Sequence, residues 1–114
     1  MSERLRRGSI IWVDLSPTRG REQAGIRPAV VIASEGYLAN VPDLVIVAPV
    51  TTTDRGWPHH VRLRGSDVDL PRPSLAMTEQ PRTVARSRIT GRAGTAGVDT
   101  MTDIDQWLRD FTDV

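Results

Sequence analysis

Short apolar runs rich in valine and isoleucine alternate with turn segments between residues 9 and 97. Such runs are too short for helices and are typical of β-strands, while glycine, proline and polar residues mark the turns between them. Residues 35–42 are expected to form a connection that could include one helical turn. The pattern predicts strands at residues 9–15, 27–34, 44–50, 59–64, 74–79 and 82–85, and one more short strand within 89–97.

The last segment of the chain has the one clear helical pattern. Apolar residues recur at helical spacing within 101–111, the aspartates fall on the opposite face, and Asp99 and Thr100 are suitable N-caps. Five to seven short strands followed by one long amphipathic helix predict a mainly β fold, in which the helix covers a small, strongly bent sheet or barrel. We expect a single domain over residues 1–114, with a flexible polar N-terminus at 1–7.

Composition and charge narrow the class of protein. The chain has neither a run of about 18 apolar residues nor a signal-peptide core, which predicts a cytoplasmic protein without a membrane partner. Cysteine is absent from the sequence, so disulfides and thiolate metal sites are excluded. All 15 basic residues are arginine, whose planar donors suit phosphate. Residues 1–98 carry 14 arginines and nine carboxylates, whereas 99–114 carry one arginine and five aspartates, a weak indication of an anionic partner.

A polar loop with two glycines leads into the second predicted strand at Arg27 and Pro28. Proline fixes φ and biases the preceding residue towards an extended backbone, so Arg27 lies at the start of a rigid element. Thr51 ends the third predicted strand. If the two strands are neighbours, a guanidinium and a hydroxyl can flank one phosphate, and RNA would supply its own 2′-hydroxyl without a metal or cofactor. The alternatives are a solvated loop and a threonine that only stabilises its turn.

The two histidines, His59 and His60, are adjacent in the fourth predicted strand. Neighbouring strand residues point to opposite faces, so the pattern predicts His59 inward with Val61 and Leu63, and His60 outward. Histidines arranged in this way cannot share an ion, and we therefore predict no metal site and no cofactor. The sequence also contains no phosphate-binding P-loop and no Gly-x-Ser-x-Gly nucleophile motif. A histidine acid–base pair for RNA cleavage remains an alternative.

Five short blocks along the chain have a recognisable pattern, at residues 6–15, 20–31, 48–52, 56–58 and 79–83. They resemble blocks of the MazF/PemK family of toxins, in the same order and with similar spacing. The resemblance extends from residue 6 to about residue 112. It implies an SH3-like β-barrel that forms a homodimer and acts as a metal-independent, sequence-specific endoribonuclease, restrained by a cognate antitoxin. In that family, cleavage leaves a 2′,3′-cyclic phosphate and a 5′-hydroxyl and stops translation and growth.

Carried over position by position, the resemblance implies that Arg27 and Thr51 are catalytic and that Glu22 is a carboxylate near the scissile group. Because the pKa of arginine lies above about 12, we interpret Arg27 as an electrostatic stabiliser and possible proton donor, and Glu22 as a candidate base. The sequence departs from the family pattern at Arg21, where several relatives have a serine that helps to hold RNA.

RNA recognition is assigned to the loops at 16–26 and 52–58, since single-stranded RNA is read by base stacking and by hydrogen bonds to base edges. Trp57 is the main stacking candidate, with plain loop packing as the alternative. The expected substrate is single-stranded RNA, mRNA first, with tRNA and rRNA as alternatives. The resemblance adds two residues that meet RNA or the dimer partner, Glu79 and Gln80. The full set of predicted RNA-binding residues is Arg19, Arg21, Gln23, Thr52, Thr53, Arg55, Trp57, His59, Glu79 and Gln80.

Two other functions remain open from the sequence. A gyrase poison of the CcdB type would have a similar architecture, but such proteins lack the Arg-Pro and Thr-Thr blocks found here. An inactive relative that only binds nucleic acid is the second alternative, and the presence of both Arg27 and Thr51 argues against it. RNA cut by the purified protein, or gyrase trapped on DNA, would distinguish these functions.

Overall fold

Seven β-strands in one sheet and a C-terminal helix make up most of the structure, a computed structural model that describes residues 4–15 and 25–112. The predicted class, mainly β with one long C-terminal helix, is confirmed. The connection at 35–42 does contain a short helix. The elements are β1 (Ser9–Asp14), β2 (Ile26–Val31), α1 (Glu35–Asn40), β3 (Leu44–Thr51), β4 (His60–Arg62), β5 (Leu75–Met77), β6 (Arg82–Ala85), a 3₁₀ turn (Arg86–Arg88), β7 (Ile89–Thr95) and α2 (Val98–Thr112).

The strand order is β4-β5-β3-β2-β1-β7, with β6 also paired to β3, and each pairing between strands is antiparallel. Because β4 and β7 are not paired to each other in the described part of the chain, the sheet is not closed and the predicted barrel describes it only loosely. β3 is the central strand, and on one side its partner changes from β6 to β5 around Pro49. A proline cannot donate to a ladder, so it fits at such a change of partner.

The sheet buries side chains on both faces. On one face, a core that includes Ile10 and Val30 packs against Ile104 of α2, which is fully buried. On the other face, Ile11 and Ala29 belong to a second core that α1 helps to close. Burial on both faces leaves no polar alternation, which explains why β1, β2 and β3 appear as continuous apolar runs in the sequence.

The C-terminal helix begins one residue earlier than the predicted N-caps. Asp99 and Thr100 therefore lie inside the first turn, and their prediction as N-caps is wrong. Asp99 still favours the helix there, because a negative charge near the N-terminus complements the helix dipole. Thr100 is buried, and its Oγ1 accepts a hydrogen bond from the backbone N–H of Arg64 at 3.0 Å. This bond attaches the start of α2 to the chain that leaves β4.

The N-terminal segment contacts α2 through Arg7, which forms an ion pair with Asp105. The Arg7 Nε also donates a hydrogen bond to the carbonyl oxygen of Ile32 at 3.2 Å. Of the N-terminus predicted to be flexible, residues 1–3 lie outside the described residues. Among the helices of the described segments, none is long and apolar enough to cross a membrane.

Candidate active site

The two residues predicted to be catalytic lie on neighbouring strands. Arg27 is the second residue of β2, Thr51 is the last residue of β3, and these strands pair with Ala29 opposite Pro49. The pairing ends at these two residues, and the same antiparallel register continued by two more would bring Arg27 opposite Thr51. Directly opposed residues share a face of the sheet and have Cβ atoms about 4.5–5.5 Å apart. The condition on which the sequence argument depended, adjacent strands, is therefore met.

Exposure and hydrogen bonding of this pair suit contact with a substrate. Arg27 is exposed, and Thr51 is half-buried. The backbone N–H of Thr53 donates to Thr51 Oγ1 at 3.1 Å, so the threonine does stabilise its turn, as the alternative interpretation expected. A hydroxyl that accepts a hydrogen bond can still donate its own proton. Turn stabilisation and donation to a phosphate oxygen are therefore compatible.

Four of the predicted site residues lie outside the described residues. The two described residues that flank the segment 16–24 are hydrogen-bonded to each other, with the backbone N–H of Leu15 donating to the carbonyl oxygen of Gly25 at 3.1 Å. The bond lies at the end of β2 where Arg27 is found. The residues concerned are Arg19, Arg21, Glu22 and Gln23, and their predicted roles stay predictions.

The second predicted loop, 52–58, is exposed throughout. Its turn is formed by Gly56, whose backbone N–H donates to Asp54 Oδ1 at 2.9 Å and whose φ is +73°. The guanidinium of Arg55 lies over the ring of Trp57, 5.4 Å from the ring centroid. Trp57 is 47% exposed. The loop thus presents a cation and a partly open aromatic surface, both suited to an RNA base.

The prediction that the two histidines point to opposite faces is wrong. β4 begins at His60, so His59 precedes the strand and the alternation of strand side chains does not apply to it. Both rings face Glu79: His60 Nε2 lies 3.1 Å from Oε2 of the carboxylate, and His59 Nε2 lies 3.6 Å from Oε1. His60, predicted to point outward, is buried, whereas His59 is half-buried.

Glu79 is the shared partner of this cluster. Burial acts to raise the pKa of its carboxyl group. Hydrogen bonds from His60, from its own backbone and from Gln80, with the charge of His60, outweigh burial and leave the pKa below its ordinary value. Glu79 is therefore a carboxylate at neutral pH. Gln80 is exposed and donates from Nε2 to Glu79 Oε2 at 3.1 Å.

His60 is not among the catalytic or RNA-binding residues predicted from the sequence. Strand alternation puts neighbouring residues on opposite faces, so with Val61 facing the core it predicted an exposed His60. Both residues are in fact buried. The contact with Glu79 depends on the pairing of β4 with β5, in which His60 lies opposite Met77. Two aromatic side chains of α2, Trp107 and Phe111, also pack against the ring of His59.

The model of the family described as PemK-like, MazF-like toxin of type II toxin–antitoxin system matches residues 6–112. The chain belongs to this family, as the five sequence blocks predicted.

Individual relatives agree with this assignment. The chain is 39% identical over 89 residues to the endoribonuclease toxin MazF of Escherichia coli strain K12, covering 77% of this chain and 76% of that protein. The predicted class of enzyme, a toxin endoribonuclease, is thereby confirmed.

Two solved structures confirm the fold. The crystal structure of MazF from Deinococcus radiodurans has a TM-score of 0.79 at 25% identity, covering 99% of this chain and 100% of that one. A MazE–MazF structure from the same organism has a TM-score of 0.81 at 23% identity, covering 99% of both chains.

Proposed function

We propose that the chain cleaves single-stranded RNA by attack of the RNA's own 2′-hydroxyl, with Arg27 and Thr51 as the catalytic residues. The observation that supports this most directly is the antiparallel pairing of β2 with β3, whose register, continued two residues past Ala29 and Pro49, would bring Arg27 opposite Thr51 beside an exposed loop. The 2′-oxygen bonds to phosphorus while the bond from phosphorus to the 5′-oxygen breaks. The products are a 2′,3′-cyclic phosphate and a 5′-hydroxyl.

The two residues act on the charge that develops at the phosphate. Arg27 neutralises the non-bridging oxygens, and the hydroxyl of Thr51 adds one directed hydrogen bond. The 2′-hydroxyl loses its proton to a base, for which we propose Glu22, and the departing 5′-oxygen takes up a proton from Arg27 or from water. No step of this scheme requires a metal ion or a cofactor.

For RNA recognition we propose the exposed loop 52–58 together with the polar loop 16–26. Thr52, Thr53, Arg55 and Trp57 are all exposed, which supports their proposed contact with RNA. His59 and Glu79 are held by each other, so we assign them, with Gln80, to the rim of the RNA site. We propose mRNA as the main substrate, with tRNA and rRNA as alternatives.

For partners, we propose a cognate antitoxin and a second copy of this chain. A MazE–MazF structure among the similar folds supports the antitoxin. An exposed apolar side chain next to Arg27, Ile26 at 53% exposure, supports a contact at that strand end. Light scattering should give twice the chain mass of 12.6 kDa, and a monomer at all concentrations would oppose the homodimer. We also propose one toxin domain over residues 1–114, acting in the cytoplasm.

Incubation of the purified protein with a long RNA in EDTA tests the proposed function. We expect discrete cuts at one short sequence, with 3′ ends carrying a cyclic phosphate and 5′ ends carrying a hydroxyl. RNA left intact, but bound, would support the inactive relative. DNA gyrase trapped on DNA would support the gyrase poison instead.

Replacing Trp57 with alanine tests the second loop. Stacking of one base on an aromatic ring contributes about 1–3 kcal/mol, so we expect RNA to bind about 5- to 150-fold more weakly. Trp57→Phe keeps an aromatic face and should retain most of the affinity. Fluorescence anisotropy with a short RNA measures both variants. Unchanged affinity in Trp57→Ala would assign this ring to loop packing alone.

A further inference from the structure

We propose that His59, His60 and Glu79 form a binding site for one divalent transition-metal ion of the kind that imidazole ligands favour, with Zn²⁺ as the representative ion. The site is separate from the proposed catalytic pair and does not depend on the proposed cleavage mechanism. Imidazole nitrogens with one carboxylate oxygen form a common ligand set for Zn²⁺ and related ions.

The spacing of the ligand atoms fits such an ion. One ligand atom from each of the three residues lies within 4.8 Å of the other two. The carboxylate of Glu79 lies near both rings through different oxygens, with Oε2 3.1 Å from His60 Nε2 and Oε1 3.6 Å from His59 Nε2. Ligands bound tetrahedrally at about 2.0–2.1 Å from Zn²⁺ lie about 3.3 Å from each other. Binding of one ion would therefore draw these ligand atoms together from separations of at most 4.8 Å to about 3.3 Å.

Two buried polar atoms of the cluster have no hydrogen-bond partner among the described residues, Nδ1 of His60 and Oε1 of Glu79. The side chain of His60 is only 1% exposed, so water does not readily compensate it. A buried polar group without a partner is costly. An ion between the three residues would bind Oε1 of Glu79 directly. His60 would bind the ion through Nε2 and keep its ring proton on Nδ1, so the ion accounts for one of the two unpaired atoms, Oε1 of Glu79.

The ligands are held before an ion arrives. The hydroxyl of Thr78 donates to the backbone carbonyl of His59 at 2.6 Å, and the β4–β5 pairing fixes the backbone of His60. The ring of Trp57 stacks on His59 with centroids 5.5 Å apart. The side chains of His59 and Glu79 are 26% and 28% exposed, which provides a path for the ion and a position for a water ligand. Sites built on restrained side chains lose little entropy on binding.

An ion bound to His59 would lie near two elements that this ring contacts, the proposed RNA-binding loop 52–58 and helix α2. His59 contacts Trp57 of the second loop on one side and Phe111 of α2 on the other. Fixing the His59 ring would therefore restrain the ring of Trp57. The tryptophan fluorescence of the protein should report this change.

Isothermal titration of the untagged protein with ZnCl₂, after treatment with EDTA and dialysis, tests the proposal. Since the chain has only two histidines, both in the cluster, other imidazole sites do not interfere. We expect saturable binding of one ion per chain, with Co²⁺ giving the visible absorption of a tetrahedral complex. His59→Gln and Glu79→Gln should each weaken Zn²⁺ binding by at least about tenfold. His60 is left unchanged, because its burial makes a folding defect the expected result of replacing it.

Asp103→Asn is the matched control. This exposed carboxylate lines the same cavity as His60 but is not one of the three proposed ligands. It should leave Zn²⁺ affinity within about twofold, since water and salt largely screen an exposed charge that does not bind the ion itself. No saturable binding, or equal losses in Asp103→Asn and Glu79→Gln, would show that the cluster is only a carboxylate with two neighbouring histidines and binds no ion. RNA cleavage in EDTA is expected to persist either way, so this result and that of the cleavage test are independent.

Discussion

Replacing Arg27 with alanine should slow RNA cleavage at least about 10²-fold, the scale for removing one preorganised donor from a developing oxyanion. The guanidinium is expected to act mainly when charge grows on the non-bridging oxygens, so RNA binding should weaken much less than the rate. Arg27 is exposed, and its removal leaves both cores intact. Single-turnover cleavage at saturating protein, with anisotropy for binding, separates the two effects.

The controls for this prediction separate charge from geometry. Arg27→Lys keeps a positive charge but loses the planar fork, so its rate should fall between those of the native protein and Arg27→Ala. Arg62→Ala removes another exposed strand arginine and should cleave normally.

Thr51→Ala should also lower the cleavage rate at least about 10²-fold, whereas Thr51→Ser retains the hydroxyl and most of the rate. Normal cleavage by either alanine variant would place the active site elsewhere.

The positions of the two proposed catalytic residues at strand ends could be predicted from the sequence, but the pairing of their strands could not. A proline after Arg27 marks the start of a strand, and the end of an apolar run marks Thr51. That these two ends face each other depends on the register of β2 against β3, which is set by the packing of Ala29 and its neighbours in the second core. Local residue patterns contain no information on register between strands separated by a helix.

The histidine cluster shows where the periodicity argument fails. The prediction applied the two-residue alternation of strand side chains to His59, but His59 precedes the three-residue strand β4. The carboxylate that joins the two rings lies 19 residues further along the chain from His60 and reaches it only because β4 and β5 pair. The prediction of no metal site rested on that incorrect geometry, and the metal proposal follows from its correction.

β7 was predicted as a tight connection with one short strand, and the structure has a strand of seven residues. Glycines at positions 91 and 94 lower strand propensity, but pairing with β1 outweighs that preference. Gly94 is needed there for a separate reason. Its φ is +94°, and it forms an isolated bridge to Val68, so the connection at 65–73 lies directly against it.

Replacing Gly94 with alanine should therefore destabilise the protein more than any other single change considered. A Cβ at this position would lie 1.6 Å from the backbone oxygen of Asp67 and 3.2 Å from the backbone nitrogen of Asp69. Both atoms belong to the main chain, so no side-chain rotation can relieve the overlap. We expect a loss of about 3 kcal/mol or more from a total of about 5–15 kcal/mol, and a melting temperature lower by at least about 10 °C.

Gly91→Ala on the same strand is the matched control for this prediction. Its φ lies outside the left-handed region, and the nearest atom to an added Cβ is Trp12 Cδ1 at 3.7 Å, an ordinary contact. Its cost should stay below about 1 kcal/mol. Urea and thermal unfolding of both variants measure the difference. If Gly94→Ala unfolded at the same urea concentration as Gly91→Ala, the connection at 65–73 could move off β7 without cost. The hydrogen bonds from Asp69 to Ala93 and from Thr95 to Asp67 would then contribute little to holding it there.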